Sequence, residues 1–196
     1  YIAQSYEVEP GRSRPPAAHV SERFGMNLAA FYDGRVGELL AHPRYRLHIV
    51  TSRGRHLLGR EHKLRTPLGY MGAFLANSVH RKAMGAWIER VVFSSPGADG
   101  HAAPLPFATS DYRTRQVAMT EANFALALQA SCSIPFVLQA LHDIPGAPPG
   151  AYWDGGITDY HLHLDYQSAD EGIVLYPHFQ RAVVPGWLDK GLRWRH

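Results

Sequence analysis

Short strand-like segments alternate with longer helix-like segments along this chain, and the alternation limits the folds that it can adopt. Apolar patterns predict strands at residues 44–51, 90–93, 151–154, 161–166 and 173–176. Helical spacing predicts helices at 68–87 and from Glu121 to about Ser131, with shorter helical pieces at 28–40. Strands that alternate with helices indicate an α/β protein with a largely parallel sheet.

The size and composition of the chain indicate a single domain. Its 196 residues, 45% of them hydrophobic, are enough to form one core, and we expect residues 1–20 to be an extended or loop segment ahead of it. Cys132 is the only cysteine, which excludes an internal disulfide framework and fits a cytoplasmic protein. No uncharged apolar run approaches the ~20 residues needed to cross a bilayer.

The charge pattern bears on the partners of the protein. The formal net charge is +3 and the isoelectric point is near 9.1. The sequence has no Arg/Lys-rich helix, no interleaving of basic and aromatic residues and no zinc-knuckle spacing, so we expect no nucleic-acid partner. A mild basic excess does suit contact with anionic lipid or phosphate.

The most informative stretch covers residues 127–159. An apolar helix leads into a turn of small residues, Ala130-Ser131-Cys132-Ser133-Ile134-Pro135, and a later strand ends in Trp153-Asp154-Gly155-Gly156. The two glycines permit a tight turn, which leaves the Asp154 carboxylate at the end of a strand, where α/β sheets bind their ligands. Taken alone, Asp-Gly-Gly also fits a turn in which the aspartate caps its own backbone.

In this order, these residues resemble the last conserved block of the patatin-like phospholipases, in which Ala-Ser-x-x-x-Pro is followed by Asp-Gly-Gly. The resemblance implies a three-layer α/β/α fold and a serine hydrolase that cleaves a lipid or another carboxylic ester without a cofactor. It further implies that Asp154 is the general base for a serine in a Gly-x-Ser-x-Gly nucleophile elbow. Gly155 and Gly156 would shape the turn at this site.

The nucleophile that this resemblance requires is not in the sequence. The chain contains no Gly-x-Ser-x-Gly and no glycine-rich oxyanion loop. In the family that it resembles, both lie before the matched block, so we expect a C-terminal portion of a patatin-like catalytic domain whose N-terminal part is missing. Because an oxyanion hole can supply the largest electrostatic contribution to acyl transfer, we expect these residues alone to be inactive. Cys132 is interpreted as a small apolar residue rather than as a substitute nucleophile.

A second hypothesis concerns the residues that follow the glycines. In a strand at 161–166 and the residues before it, the period of two places four possible metal ligands on one face, namely Asp159, His161, His163 and Asp165. This arrangement suggests a metal-dependent hydrolase. The alternative, which we favour, is a half-buried strand with a polar solvent face.

The helix at 68–87 has a stripe of apolar residues at helical spacing, which we interpret as its core-facing surface. The alternative is peripheral contact with a membrane, through Phe74 and Trp87 and the basic residues Lys63, Arg65, Arg81 and Lys82. A third hypothesis for the whole chain is a non-catalytic lipid-binding or interaction module that retains the fold but has lost the nucleophile.

Overall fold

The computed structural model describes residues 15–32, 34–166, 173–177 and 180–195, which form a mixed α/β fold. The helices are α1 (Ala17–Tyr32), α2 (Val36–Leu40), α3 (Arg65–Val79), α4 (Arg81–Met84), α5 (Glu121–Ala130) and α6 (Gly156–Asp159). The strands are β1 (His48–Gly54), β2 (Ile88–Ser94), β3 (Thr114–Ala118), β4 (Leu141–His142) and β5 (Ala151–Asp154). Short 3-10 helices cover His56–Leu58, Trp187–Gly191 and Arg193–Arg195.

The five strands form one mixed sheet in the order β3-β2-β1-β5-β4. Only β2 and β3 are parallel, and the other neighbours are antiparallel, so the prediction of a largely parallel sheet was wrong. The reason lies in the connection from β1 to β2. A single crossover helix would deliver a parallel strand, whereas α3 and α4 leave and return at the same end of the sheet. Gly54, the last residue of β1, therefore pairs with Ile88, the first of β2.

The sheet carries a cluster of buried residues on each face. One cluster joins Phe93 and Tyr152 to Phe124 of α5. The other joins Trp153 to Tyr70 of α3 and to Ile157 of α6. Tyr152 and Trp153 belong to different clusters because consecutive side chains of a strand point to opposite faces.

Two predicted strands are absent from the structure. Residues 161–165 form a turn and irregular backbone, Tyr166 makes only an isolated bridge with Phe107, and residues 173–177 contain no strand. β5, the strand before this segment, is already paired on both sides, with β1 and β4, so the segment cannot extend the sheet beside it. Of the predicted loop at residues 1–20, residues 1–14 lie outside the described part, and α1 already begins at Ala17.

The helix predicted at 68–87 is two helices, and its orientation differs from our interpretation. His80 has an extended backbone (φ −158°, ψ 132°), which ends α3 and begins α4. The buried face of α3 consists of smaller and polar residues together with Tyr70, and the large aliphatic side chains point outwards. Gly69 explains this orientation, because a Cβ there would lie 2.6 Å from Leu58 Cγ. Only a face with small residues lets α3 approach Leu58 so closely.

An ionic network lies buried beneath the sheet around Arg90 of β2, whose side chain is fully buried. Its Nε and Nη2 donate to the two carboxylate oxygens of Asp159 in α6, both at 2.6 Å. Its remaining N–H groups donate to Asp111 and to Thr114 at 2.9–3.0 Å. All five guanidinium donors are thus satisfied, which offsets the cost of removing the charge from water.

The network continues through Arg81 to the 3-10 helix at Trp187–Gly191. Arg81 contacts Asp159 at 3.2 Å and Asp189 at 3.5 Å, and it also donates to the Thr158 carbonyl. The fully buried Asp189 accepts from Asn77 of α3 at 2.8 Å and from Arg195 at 3.1 Å. These contacts fasten α3, α4, α6 and the C-terminal 3-10 helices to β2.

We predict that breaking this network costs far more stability than breaking a surface ion pair. Arg90→Met leaves the buried Asp159 with only part of its hydrogen bonds, and such a loss typically destabilises a protein by about 3–5 kcal/mol. The control is Arg35→Ala, which removes an exposed pair with Glu38 and should change stability by less than about 1 kcal/mol. Urea unfolding measures both, and similar losses for the two variants would contradict the prediction.

Candidate functional site

Asp154 is the last residue of β5 and lies against the central strand of the sheet. It pairs with Thr51 of β1, and its own N–H donates to the Ser133 carbonyl at 3.0 Å. Its Oδ1 accepts the N–H of Gly156 at 2.7 Å, as in a turn capped by an aspartate. One carboxylate oxygen is therefore fixed by the following backbone.

The two glycines after Asp154 occupy positions with little room for a side chain. A Cβ on Gly155 would lie 2.3 Å from the Val50 carbonyl oxygen. This is a steric clash with the backbone of β1, which cannot move aside as a flexible side chain could. A Cβ on Gly156 would lie 2.9 Å from Asp154 Oδ1, against the oxygen that accepts its N–H. Gly155 thus permits the close approach to β1, and Gly156 permits the tight turn around the carboxylate.

The small-residue turn at 130–135 contacts the end of β5 directly. The Ser133 carbonyl accepts from Asp154 and the Ser131 carbonyl accepts from Gly155, at 3.0 and 3.4 Å. The Ser133 hydroxyl donates back to the Gln129 carbonyl at 3.0 Å, so it belongs to the end of α5. The two blocks of sequence that carry the family resemblance are therefore neighbours in space, joined by backbone hydrogen bonds.

A small cavity of about 130 Å³ opens beside Asp154. Its apolar wall is formed by four side chains, those of Ile134, Pro135, Ile157 and Trp187. Lys190 and Tyr160 complete the lining, and Lys190 Nζ lies 3.7 Å from the centre of the Tyr160 ring, a cation–π contact. A carboxylate and an ammonium group thus face one apolar space.

Burial raises the pKa of the Asp154 carboxyl above its ordinary value of 3.8, because the ionised form is poorly solvated. The hydrogen bond from Gly156 and the charge of Lys190 act in the opposite direction and reduce this shift. A carboxylate of raised pKa in a cavity is a typical general base, since its affinity for a proton is closer to that needed near neutral pH.

Among the residues that line this cavity there is no serine or cysteine. Cys132 lies nearby and is half-buried, with its Sγ 3.7 Å from the Ser131 hydroxyl. Burial raises the pKa of its thiol, which disfavours the thiolate that a nucleophile needs. The geometry agrees with the interpretation of Cys132 as a small apolar residue.

The four residues of the metal hypothesis are not brought together on a strand. Asp159 is in α6, where Arg90 and Arg81 hold its carboxylate. His161 is buried, and its Nδ1 accepts the Val184 N–H at 2.8 Å. His163 and Asp165 are in irregular backbone. Over the part of the chain that the structure describes, no three His, Cys, Asp or Glu side chains are placed to hold a metal ion.

Sequence reasoning missed Lys190, Tyr160 and Trp187 as lining residues of the Asp154 cavity. Trp187 and Lys190 belong to a 3-10 helix more than thirty residues after Asp154, and a segment this short has no periodic pattern to reveal which side it presents. Arg81 of α4 joins this helix to α6 by contacting both Asp189 and Asp159, an arrangement that depends on tertiary structure.

No protein-family model, no curated protein and no solved structure matches this chain. Of the described helices, none combines the length and the apolar character needed to span a membrane.

We predict that Asp154→Asn stabilises the protein at neutral pH. A pKa raised by folding means that ionised Asp154 lowers stability, and that this penalty grows as pH rises through the pKa of the folded state. Asparagine carries no charge and keeps an oxygen for the Gly156 N–H. We expect a higher melting temperature at pH 7, where each 1 kcal/mol of stability corresponds to about 2–4 °C in a chain of this size, and no difference in acid, where Asp154 is protonated.

Asp143 supplies a control of opposite sign. The hydrogen bond from the Gly150 N–H, together with the nearby Arg60, lowers the pKa of Asp143, so its ionised form stabilises the fold. The melting temperature of Asp143→Asn at pH 7 should therefore be equal to that of the wild type or lower than it. Destabilisation at pH 7 by both variants would contradict the raised pKa of Asp154.

Proposed function

We propose that this chain carries the general base of a serine ester hydrolase of the patatin type, which cleaves a carboxylic ester of a lipid. The observation that supports the proposal most directly is the position of Asp154. It is fixed by backbone bonds to the 130–135 turn, its pKa is raised, and it faces an apolar cavity. The resemblance of the 130–135 turn and Asp154-Gly155-Gly156 to the patatin-like block supports the same reaction.

The proposed reaction has two steps. The serine hydroxyl attacks the ester carbonyl carbon while Asp154 accepts its proton; the bond from that carbon to the alcohol oxygen breaks, and Asp154 returns the proton to the leaving alcohol. In the second step, water attacks the acyl-serine, and Asp154 again accepts a proton and returns it to the serine oxygen. Asp154 Oδ1 is held by Gly156, so Oδ2 is the oxygen available for proton transfer.

The lining of the cavity suggests which part of the ester lies there. Ile134, Pro135, Ile157 and Trp187 offer an apolar wall for hydrocarbon next to the reacting carbonyl. The volume of about 130 Å³ accommodates only a few carbon atoms. The remainder of a lipid would extend past Ile134 and Pro135 towards the protein surface.

The proposal predicts that Asp154 is essential to turnover. In the natural protein that supplies the serine, Asp154→Asn and Asp154→Ala should lower kcat/KM for a carboxylic ester by about 10²–10⁴-fold, the contribution of a positioned general base. Asp143→Asn, which changes an aspartate at the other end of the β4–β5 hairpin, should retain activity. Wild-type turnover in Asp154→Asn would overturn the assignment.

A labelling experiment separates the enzyme from a non-catalytic lipid-binding module, the candidate that the lack of a lining nucleophile favours. A fluorophosphonate probe should label the natural protein on a serine, and Asp154→Asn should slow the labelling. The 196 residues alone should not be labelled or hydrolyse esters. A natural protein that binds lipid but shows no labelling would identify the module instead.

Lys190 should set the lower pH limit of activity. Its positive charge lowers the pKa of Asp154 and so keeps more of the base ionised. Lys190→Met should therefore move the acidic limb of the kcat/KM profile to higher pH, with little change at the plateau, and Lys190→Arg should leave the limb near its wild-type position. An unchanged limb in Lys190→Met would show that the lysine does not act on the base.

A further inference from the structure

The outward face of α3 and the residue before it carry a stripe of large apolar residues, which we call the α3 stripe: Leu64, Leu68, Met71, Leu75 and Val79. Their exposed fractions are 72, 53, 56, 58 and 82%. At 100° per residue these positions fall within an arc of roughly 80°, so they form one surface. Scattered exposed apolar residues need no explanation, but an aligned set of five does.

The charges along the α3 stripe are positive, and the exposed Glu61, which lines a pocket with Lys63 and Phe136, is an acidic exception at its start. Residues 62–88 contain no Asp or Glu. Lys63 and Arg65 are exposed at the start of α3, and Lys82 is exposed just past its end. Arg81 is already held by Asp159 and Asp189, and so is not counted among these cations. In the described part of the chain, no salt bridge involves Lys63, Arg65 or Lys82.

A second exposed apolar element lies beside α3. Phe136 and Val137, in the loop after the 130–135 turn, are 59 and 51% exposed, and the Phe136 ring lies 5.6 Å from that of Tyr70 in α3. Phe136 has φ +67°, a left-handed conformation that a bulky residue adopts only where the surroundings impose it. Ile134, in the turn just before Phe136, lines the Asp154 cavity.

We propose that the α3 stripe docks on an anionic lipid surface. Its aliphatic side chains would enter the acyl boundary, while Lys63, Arg65 and Lys82 would contact lipid phosphates at the two ends of the helix. This is the arrangement of a helix that lies in the plane of a membrane. A basic patch close to such a surface also gains electrostatic attraction from anionic lipids.

The charges favour a membrane over a second copy of the chain. A two-fold interface would place the same stripe on itself, so that exposed cations would face exposed cations with no acidic residue of 62–88 between them. Like charges opposed in this way disfavour association. An anionic bilayer complements both the apolar centre of the surface and its basic ends.

Vesicle flotation tests this proposal independently of hydrolysis. The protein should float with phosphatidylcholine–phosphatidylglycerol vesicles and bind phosphatidylcholine vesicles at least tenfold more weakly. Leu68→Gln/Leu75→Gln should lower binding to the anionic vesicles at least tenfold. Lys63→Gln/Arg65→Gln/Lys82→Gln should do the same, since each cation near an anionic surface contributes about fivefold (about 1 kcal/mol). High salt should weaken wild-type binding.

Matched variants separate docking from other effects. Met26→Gln/Phe31→Gln alters exposed apolar residues of α1 and should bind vesicles as the wild type does. Asp154→Asn should also bind vesicles as the wild type does. The vesicle test therefore remains valid even if the proposed hydrolase function is wrong. Because the residues changed in the α3-stripe, cation and α1 variants are exposed, those variants should keep the wild-type circular dichroism spectrum and melting temperature.

Three outcomes would overturn the proposal. The first is a wild-type protein that does not float with anionic vesicles. The second is equal binding of neutral and anionic vesicles, which would remove the role of the cations. The third is a dimer in light scattering that Leu68→Gln/Leu75→Gln converts to a monomer, with vesicle binding absent in both, which would assign the α3 stripe to a second copy.

Discussion

The ion pair between Arg90 and Asp159 is the interaction on which the other parts of this structure depend. Arg90 is in β2 and fully buried, and both oxygens of Asp159 accept its N–H groups at 2.6 Å. The pair fixes α6 relative to the sheet, and α6 begins two residues after Asp154. Asp159, which the sequence pattern suggested as a metal ligand, thus instead holds α6, the helix that follows the turn at the candidate base Asp154. Its exposed neighbour Asp111 shows the same influence, because hydrogen bonds from Arg90 outweigh its partial burial and lower the pKa of its carboxyl.

The same network determines what surrounds Asp154. The Asp189 carboxylate accepts a hydrogen bond from Asn77 and forms ion pairs with Arg81 and Arg195, and these contacts hold the Trp187–Gly191 helix against α3 and α6. Trp187 and Lys190 of that helix then complete the cavity beside Asp154. The cavity wall is therefore apolar, while the ionic network holds the elements that carry it. The apolar wall is consistent with the burial that raises the pKa of the Asp154 carboxyl.

Sequence patterns predicted the elements whose ends are marked by a turn or a cap, and predicted the arrangement of the strands poorly. The strand at Ala151–Asp154 and the start of α5 at Glu121 were predicted correctly, because a turn or a cap marks their ends: Asp-Gly-Gly after the strand, and Thr120 with Asn123 as a capping box before the helix. The largely parallel sheet was wrong, since alternation of helices and strands does not show whether a connection crosses the sheet or returns to the same end. The strand at 161–166 was wrong because periodicity says nothing about whether a sheet edge is free to pair. The turn at Asp154 could be inferred from its glycines, whereas Lys190 and Trp187 could not, because only tertiary contacts bring them to it.

The orientation of α3 follows from the requirements of the buried side. That side must approach Leu58 at Gly69 and must place Asn77 on Asp189, so it needs small and polar residues where a typical helix has leucines. The aliphatic residues are left on the opposite side, which inverts the usual relation between hydrophobicity and burial. A stripe of apolar residues in a sequence indicates the core-facing side of a helix only where apolar packing, rather than a polar network, determines the orientation of that helix. In α3 the polar network determines the orientation, and the aliphatic side chains point outwards as a result. The anionic lipid surface that we propose would cover this outward face.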